Sequence, residues 1–97
     1  MISAKIHTRG SERLLAACDH ELLGETFSEK DIRLKVSAIF YGGETITEDA
    51  FRERMKSVTI MNLVGERTVT AAQQDGYISQ ESVITIGGVK YAQAVMM

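Results

Sequence analysis

Three adjacent residues, Cys18, Asp19 and His20, carry a thiol, a carboxylate and an imidazole, the groups of a cysteine hydrolase. Adjacency alone does not make a dyad, because neighbours in a strand point to opposite faces. His7 reaches Cys18 as a base only if the first two strands pair in the right register. A buried small thiol explains the cysteine without any chemistry. Metal ligands are as sparse: the chain has two histidines and one cysteine with no paired spacing. No serine lies in a nucleophile elbow, and neither a phosphate loop nor a dinucleotide-binding glycine pattern occurs. No cofactor, no metal site and no catalytic residue are therefore expected, and whether the protein is an enzyme stays open.

Two glycine pairs ask for a different explanation. In "TIGGVKYAQ" (85–93), Gly87-Gly88 suits a two-residue hairpin turn with positive φ at both positions. In "IFYGGETIT" (39–47), Gly42-Gly43 stands between a strand and a helix. A tight connection over the sheet accounts for it, with Phe40 and Tyr41 packed at the core edge and at least one glycine at positive φ. The functional alternative is a loop of bare backbone, flanked by Tyr41 and Glu44, that lets a ligand approach. In that case Tyr41, Gly42 and Gly43 should border one pocket together with "NLVGE" (62–66), whose Asn62, Gly65 and Glu66 mark a close contact. Helix packing through Gly65 would produce the same signature. A third candidate surface is the outward face of the strands, with Lys5, His7, Arg33, Lys35 and Lys90, which is either a basic patch or an ordinary solvated face.

The elements that would position these groups follow from periodicity. Residues 2–8 alternate apolar and polar, which is the period of a half-buried strand. Gly10 turns the chain, and 14–18 is an apolar run suited to an antiparallel partner strand. Residues 20–31 form an acidic excursion, and 32–37 alternates again. Residues 46–58 read as a helix: Thr47 caps it, Glu48 and Asp49 favour its N-terminus, and Ile46 and Phe51 occupy the staple positions. Residues 59–76 read as a second helix, ended by Gly76. Strands at 82–86 and 89–95 complete the chain. Runs of strands and helices, without strict alternation, predict an α+β domain: a mainly antiparallel sheet of about five strands with two helices on one face.

Composition agrees with that frame. Ninety-seven residues, 44% apolar and 25% charged, make one domain of ordinary composition that can bury a core without staples. A single cysteine excludes an intrachain disulfide and suits a reducing cytoplasm. No apolar run approaches the roughly 20 residues needed to cross a bilayer. The first residues lack a signal-peptide core, so a natural start and no membrane association are expected. The net charge of −2 argues against a generic nucleic-acid binder, although the charge is uneven: Glu21, Glu25, Glu29 and Asp31 cluster around Lys30.

The strings "AACDHELLGETF" (16–27), "FYGGE" (40–44), "NLVGE" (62–66) and "IGGVKYAQ" (86–93) occur in this order across nearly the whole chain. Together they resemble a family of small archaeal proteins known as a domain of unknown function. The family pattern near the end reads Gly-Val-Pro-His-Ala-Gln, whereas this chain has Gly88-Val89-Lys90-Tyr91-Ala92-Gln93. The histidine is missing, which weakens a catalytic role at that position. The resemblance implies a compact cytosolic domain, with an association with translation by analogy. The leading expectation is a non-enzymatic binding module that touches RNA or a ribonucleoprotein through the sheet face. The alternatives are a ligand binder or enzyme with a cleft near Tyr41–Gly43 and Asn62–Glu66, and a homo-oligomer that uses 89–95 as an edge strand.

Overall fold

The computed structural model describes residues 1–96. Strands β1 (Ile2–Arg9) and β2 (Glu12–Asp19) form an antiparallel hairpin turned at Gly10, φ +60°. A second hairpin follows, β3 (Thr26–Glu29) and β4 (Ile32–Lys35), then the short helix α1 (Ala38–Tyr41) and strand β5 (Glu44–Ile46). Helix α2 (Glu48–Met55), strand β6 (Ile60–Val64), helix α3 (Glu66–Gln74) and strands β7 (Ile84–Ile86) and β8 (Val89–Val95) complete the order. The main sheet has six strands in the order β5-β1-β2-β6-β8-β7, and every neighbour pair is antiparallel except β2 with β6.

The architecture is α+β, with α2 and α3 on one face of a mainly antiparallel sheet. Helix α2 forms as the sequence dictates. Thr47 accepts from the N–H of Ala50 at 3.1 Å, Arg52 pairs with Glu48 at 2.8 Å, and Ile46 and Phe51 are both buried. Phe51 is fully buried among Leu15, Met61, Leu63 and Val69, a burial that contributes about 2–3 kcal/mol. The Gly87-Gly88 turn has φ of +56° and +84°, with Ile86 opposite Val89, as a type I′ hairpin requires.

The expected sheet of about five strands has six, with β5 and β6 both joining it. Two expectations need correction. The helix expected over 59–76 is a central strand, β6, followed by α3 from Glu66, so Gly65 lies at the helix entry and not inside it. Met61, Leu63 and Val64 are buried on both sides of the sheet, and this removes the alternation that marks a half-buried strand. Finally, β4 belongs to a separate two-stranded sheet with β3 and not to the main one.

That second hairpin makes the sheet two-sided. Phe27 and Leu34 pack with Leu22, Leu23 and Val36 onto the face opposite the helices, over Ala16, Cys18 and Val64. The turn of the β7–β8 hairpin lies against β3: a Cβ on Gly87 would come 2.9 Å from the Ser28 carbonyl oxygen. Glu29 accepts from the Gly87 N–H at 3.1 Å. With four-residue strands, the hairpin covers only part of this second face.

Candidate functional site

On β1 the odd-numbered residues Ser3, Lys5, His7 and Arg9 face the second side of the sheet, together with Leu14, Ala16 and Cys18 of β2. Ala16, Cys18 and Val64 are fully buried under the hairpin and α1, whereas Leu14, Ile60 and Asn62 are only partly covered. Gln93 is exposed and Val95 is 68% exposed. One half of this face is therefore closed and the other half is open.

Helix α1 borders the open half, and β1 holds it there. The last carbonyls of a helix lack intrahelical donors, and Lys5 and His7 supply them. Lys5 Nζ donates to the Ile39 oxygen at 3.0 Å, and His7 Nε2 donates to the Phe40 oxygen at 2.8 Å. A carbonyl only accepts, so His7 carries its hydrogen on Nε2. The His7 ring stacks on Phe40 with centroids 4.8 Å apart and planes at 19°. Phe40 meets Tyr41 edge-on at 5.0 Å. Tyr41, buried, donates to Asn62 Oδ1 at 2.5 Å, and Asn62 Nδ2 donates to Tyr91 Oη at 3.4 Å. Burial, followed by the nearby Tyr91 and Cys18, pushes the Tyr41 hydroxyl above its ordinary range.

Among the residues picked out from the sequence, Lys5, Tyr41 and Asn62 come together here. Gly42 and Gly43 lie beside them, and both serve close packing, not a left-handed turn. Neither has positive φ, contrary to expectation. A Cβ on Gly42 would come 2.5 Å from the Ala38 oxygen, and one on Gly43 would come 2.7 Å from the Ala4 oxygen. Glu44 points elsewhere, pairing with Arg54 at 2.8 Å, and that hydrogen bond holds its carboxyl below the usual range. Gly65 and Glu66 lie at the closed end of the sheet. Glu66 accepts from Lys90 at 2.7 Å and from Thr70 at 2.9 Å, and these bonds lower its pKa, that from Lys90 the more. Arg33 and Lys35 are on the outer side of the β3–β4 hairpin, so they do not form one sheet patch with Lys5 and His7. Lys90 faces the helix side.

The Cys18 segment has no hydrolase geometry. Ser3 is the cross-strand partner of Cys18, and His7 lies opposite Leu14. His20 Nδ1 is 2.8 Å from the Ser3 hydroxyl. Burial, then the charges of Asp19 and Glu21, push the thiol up to about 12. Asp19 instead caps α3 across the fold: its carboxylate accepts from the N–H groups of Arg67 and Thr68 and from the Thr68 hydroxyl, at 3.1, 2.9 and 2.8 Å. Among the described residues no group of three potential metal ligands converges, no cavity opens, and no helix is long and apolar enough to cross a membrane.

Sequence reasoning missed the His7–Phe40 stack, although both residues were in view. The missing signal was that α1 folds back onto β1. Arg9 and Gln93 were also missed. Their alternation with Lys5, His7 and Tyr91 was legible once the sheet order was known.

The fold defines a class: an α+β domain whose sheet is packed by helices on one face and half-covered by a hairpin on the other. Within it, the chain belongs to the family described as protein of unknown function (DUF424), which it matches over residues 6–97. The structure is similar to the crystal structure of an uncharacterized conserved protein from Methanopyrus kandleri, with a TM-score of 0.80, 26% identity, and coverage of 99% of this chain and 93% of that one. No curated protein matches the chain.

Proposed function

We propose that this protein is a non-enzymatic binding module that docks RNA, or an RNA-bearing particle, on the open half of its second sheet face. The observation that carries the reading is the open half-face itself, where the His7–Phe40 stack, the Asn62 amide and two cations outside ion pairs, Lys5 and Arg9, share one side of the sheet. Arg52, Arg54, Lys56, Arg67 and Lys90 are all ion-paired. Among the described residues, Lys5, Arg9, Arg13, Lys30, Arg33 and Lys35 have no carboxylate within ion-pair distance. Lys5 and Arg9 lie on the second face itself, whereas Lys30, Arg33 and Lys35 belong to the hairpin over its other half, which also carries Glu25, Glu29 and Asp31. A face with a stacked aromatic pair, side-chain amides and cations outside ion pairs suits unpaired nucleotides, which bind by stacking, edge hydrogen bonds and phosphate contacts.

The test is fluorescence anisotropy of a labelled single-stranded RNA at several salt concentrations. Binding should weaken steeply as salt rises, and Arg9→Ala should reduce that slope by about 1. His7→Ala and Phe40→Ala should weaken binding at every salt concentration. Failure to bind RNA at about 100 µM protein in low salt would overturn the reading.

The oligomer alternative has one observation in its favour. The hydrogen bonds from Gly65 N–H to the Lys90 oxygen and from Met96 N–H to the Thr59 oxygen set the parity of β8, so its even residues face β6. Strand β7 pairs only as far as Tyr91, which leaves the main-chain groups of Gln93 and Val95 unpaired by a strand on that side. Light scattering that shows a dimer, abolished by a charge at Val95, would favour this edge over the face.

A further inference from the structure

At the centre of the open half-face stands Asn62, and the fold dictates which way its carboxamide points. The Tyr41 hydroxyl is buried and must donate; among the described residues its partner is the Asn62 side chain. If the carboxamide were turned over, its NH2 would meet Tyr41, and a buried O–H would be left without an acceptor. The arrangement matches: the Tyr41 hydroxyl meets Oδ1, and Nδ2 lies on the Tyr91 side, 3.4 Å from its hydroxyl, a long contact. Burial keeps the Tyr41 hydroxyl protonated well above neutral pH, so it remains a donor.

The amide is thus locked with its oxygen inward. One N–H of Asn62 is directed to Tyr91, and the other has no partner among the described residues. Asparagine recognises adenine in a bidentate way, and that requires both its oxygen and its NH2. Here the oxygen is turned inward onto Tyr41, so the edge of the amide away from Tyr41 presents the NH2, a donor. Adenine sets an amino group beside its ring acceptors, whereas uracil presents two keto oxygens.

We infer that Asn62 is a specificity-determining residue that donates to the keto oxygen of an unpaired base, of the uracil type, stacked against the His7–Phe40 pair, and that Tyr41 is the positioning residue that fixes this polarity. The inference rests on the RNA reading above. Lys5 and Arg9 on the same face are placed for the phosphates, and the neutral amide is left for the base.

The experiment compares labelled homopolymers of uridine and of adenosine in anisotropy titrations with the intact protein. Wild type should favour uridine by about threefold to tenfold, the range of one neutral hydrogen bond. Tyr41→Phe keeps the ring and removes the donor. Asn62 can then turn over, so the ratio should fall toward unity, chiefly through tighter adenosine binding, with the salt slope unchanged. A loss of stacking or of fold would weaken both polymers together and leave the ratio alone. Asn62→Ala is the second arm and should also abolish the ratio. Near-UV circular dichroism and the thermal transition confirm folding of each variant. RNA binding with a uridine preference that survives Tyr41→Phe or Asn62→Ala, or with no preference in wild type, overturns this inference and leaves the RNA reading standing. No RNA binding by wild type overturns both.

Discussion

Substituting Asp19 by Ala tests the contact that ties the sheet to α3. Asp19 is 3% exposed and ends β2, yet its carboxylate accepts two N–H groups and one hydroxyl from residues nearly fifty positions away. It does the work of an N-cap side chain, because the cap position itself is Gly65, which has none. Loss of a cap costs about 1 kcal/mol. Thr68 is fully buried, and its hydroxyl would lose the acceptor it donates to, a further penalty of about 1–3 kcal/mol. The expected loss is about 3 kcal/mol, a large part of the roughly 5–15 kcal/mol that holds a domain of this kind folded. In urea, with a slope of about 1.5 kcal/mol per molar, the midpoint should fall by about 2 M. Gly65→Ala probes the same contact from the other side. The new Cβ would sit 2.4 Å from Asp19 Cγ, on a residue with φ +108°. In the Asp19→Ala background that clash is gone, and only backbone strain of about 1–3 kcal/mol remains. The two substitutions should therefore cost less together than the sum of their separate effects. An Asp19→Ala midpoint within about 0.3 M of wild type, or strict additivity in the cycle, would refute the reasoning.

Gly42→Ala and Gly43→Ala should each destabilise by about 1–3 kcal/mol through collision with the Ala38 and Ala4 carbonyl oxygens, read from thermal or urea transitions; neutral effects would contradict the packing. Lys30 is a non-glycine residue at φ +55°, so Lys30→Gly should relieve up to about 1 kcal/mol of strain and raise the melting temperature. Cys18, fully buried, should react with a thiol reagent only on opening of the fold, and rapid labelling of native protein would refute this. Its thiol pKa is raised from 9.0 to about 12, so the native state keeps a proton that the unfolded state releases in that window. Stability is thus undiminished by this group below about pH 9 and should decline as pH rises toward about 12. A Cys18→Ala variant should lose that part of the alkaline decline.

Legibility followed burial on one side only. β1 has a helix-facing set, Ile2, Ala4 and Ile6, and a set on the other side that is polar throughout, Ser3, Lys5, His7 and Arg9, so its period of two shows in the sequence. The same holds for α2, whose cap, first-turn acids and staple are all local signals. β6 gives no such signal. It lies between β2 and β8 with Met61 and Leu63 under the helices and Val64 under the hairpin, so an apolar run with Thr59, Asn62 and Gly65 around it reads as helix. Periodicity alone does not separate a short buried strand from a buried helix turn. β3 hid for the opposite reason: Phe27 is the one apolar side chain among four, because the strand's other face looks into water. The role of Asp19 was invisible because cap and helix are separated by nearly fifty residues.

The misread strand is also the one that carries the centre of the candidate site. Asn62 looked informative as half of a helical Asn–Gly spacing, and that reason fails. Its partners are Tyr41 from α1 and Tyr91 from β8, on elements that only the sheet order brings together. The open half-face has the same origin. A six-stranded sheet whose central strands are apolar on both sides needs a second cover, and the chain supplies one hairpin of four-residue strands and one turn of helix. That cover closes the end holding Cys18 and Val64 and stops short of Asn62 and Gln93. Where it stops, the side chains pass from Ala16, Cys18 and Val64 to His7, Asn62 and Gln93; Leu14 and Ile60 are only partly covered, and Ile39 at 82% exposed and Val95 at 68% stand in water. Exposed apolar side chains around an oriented amide, flanked by unpaired cations, are a combination that stability alone does not require. Substitution at Gln93, which is exposed, should therefore change binding far more than it changes the melting temperature, the reverse of the pattern expected at Asp19 and Gly65.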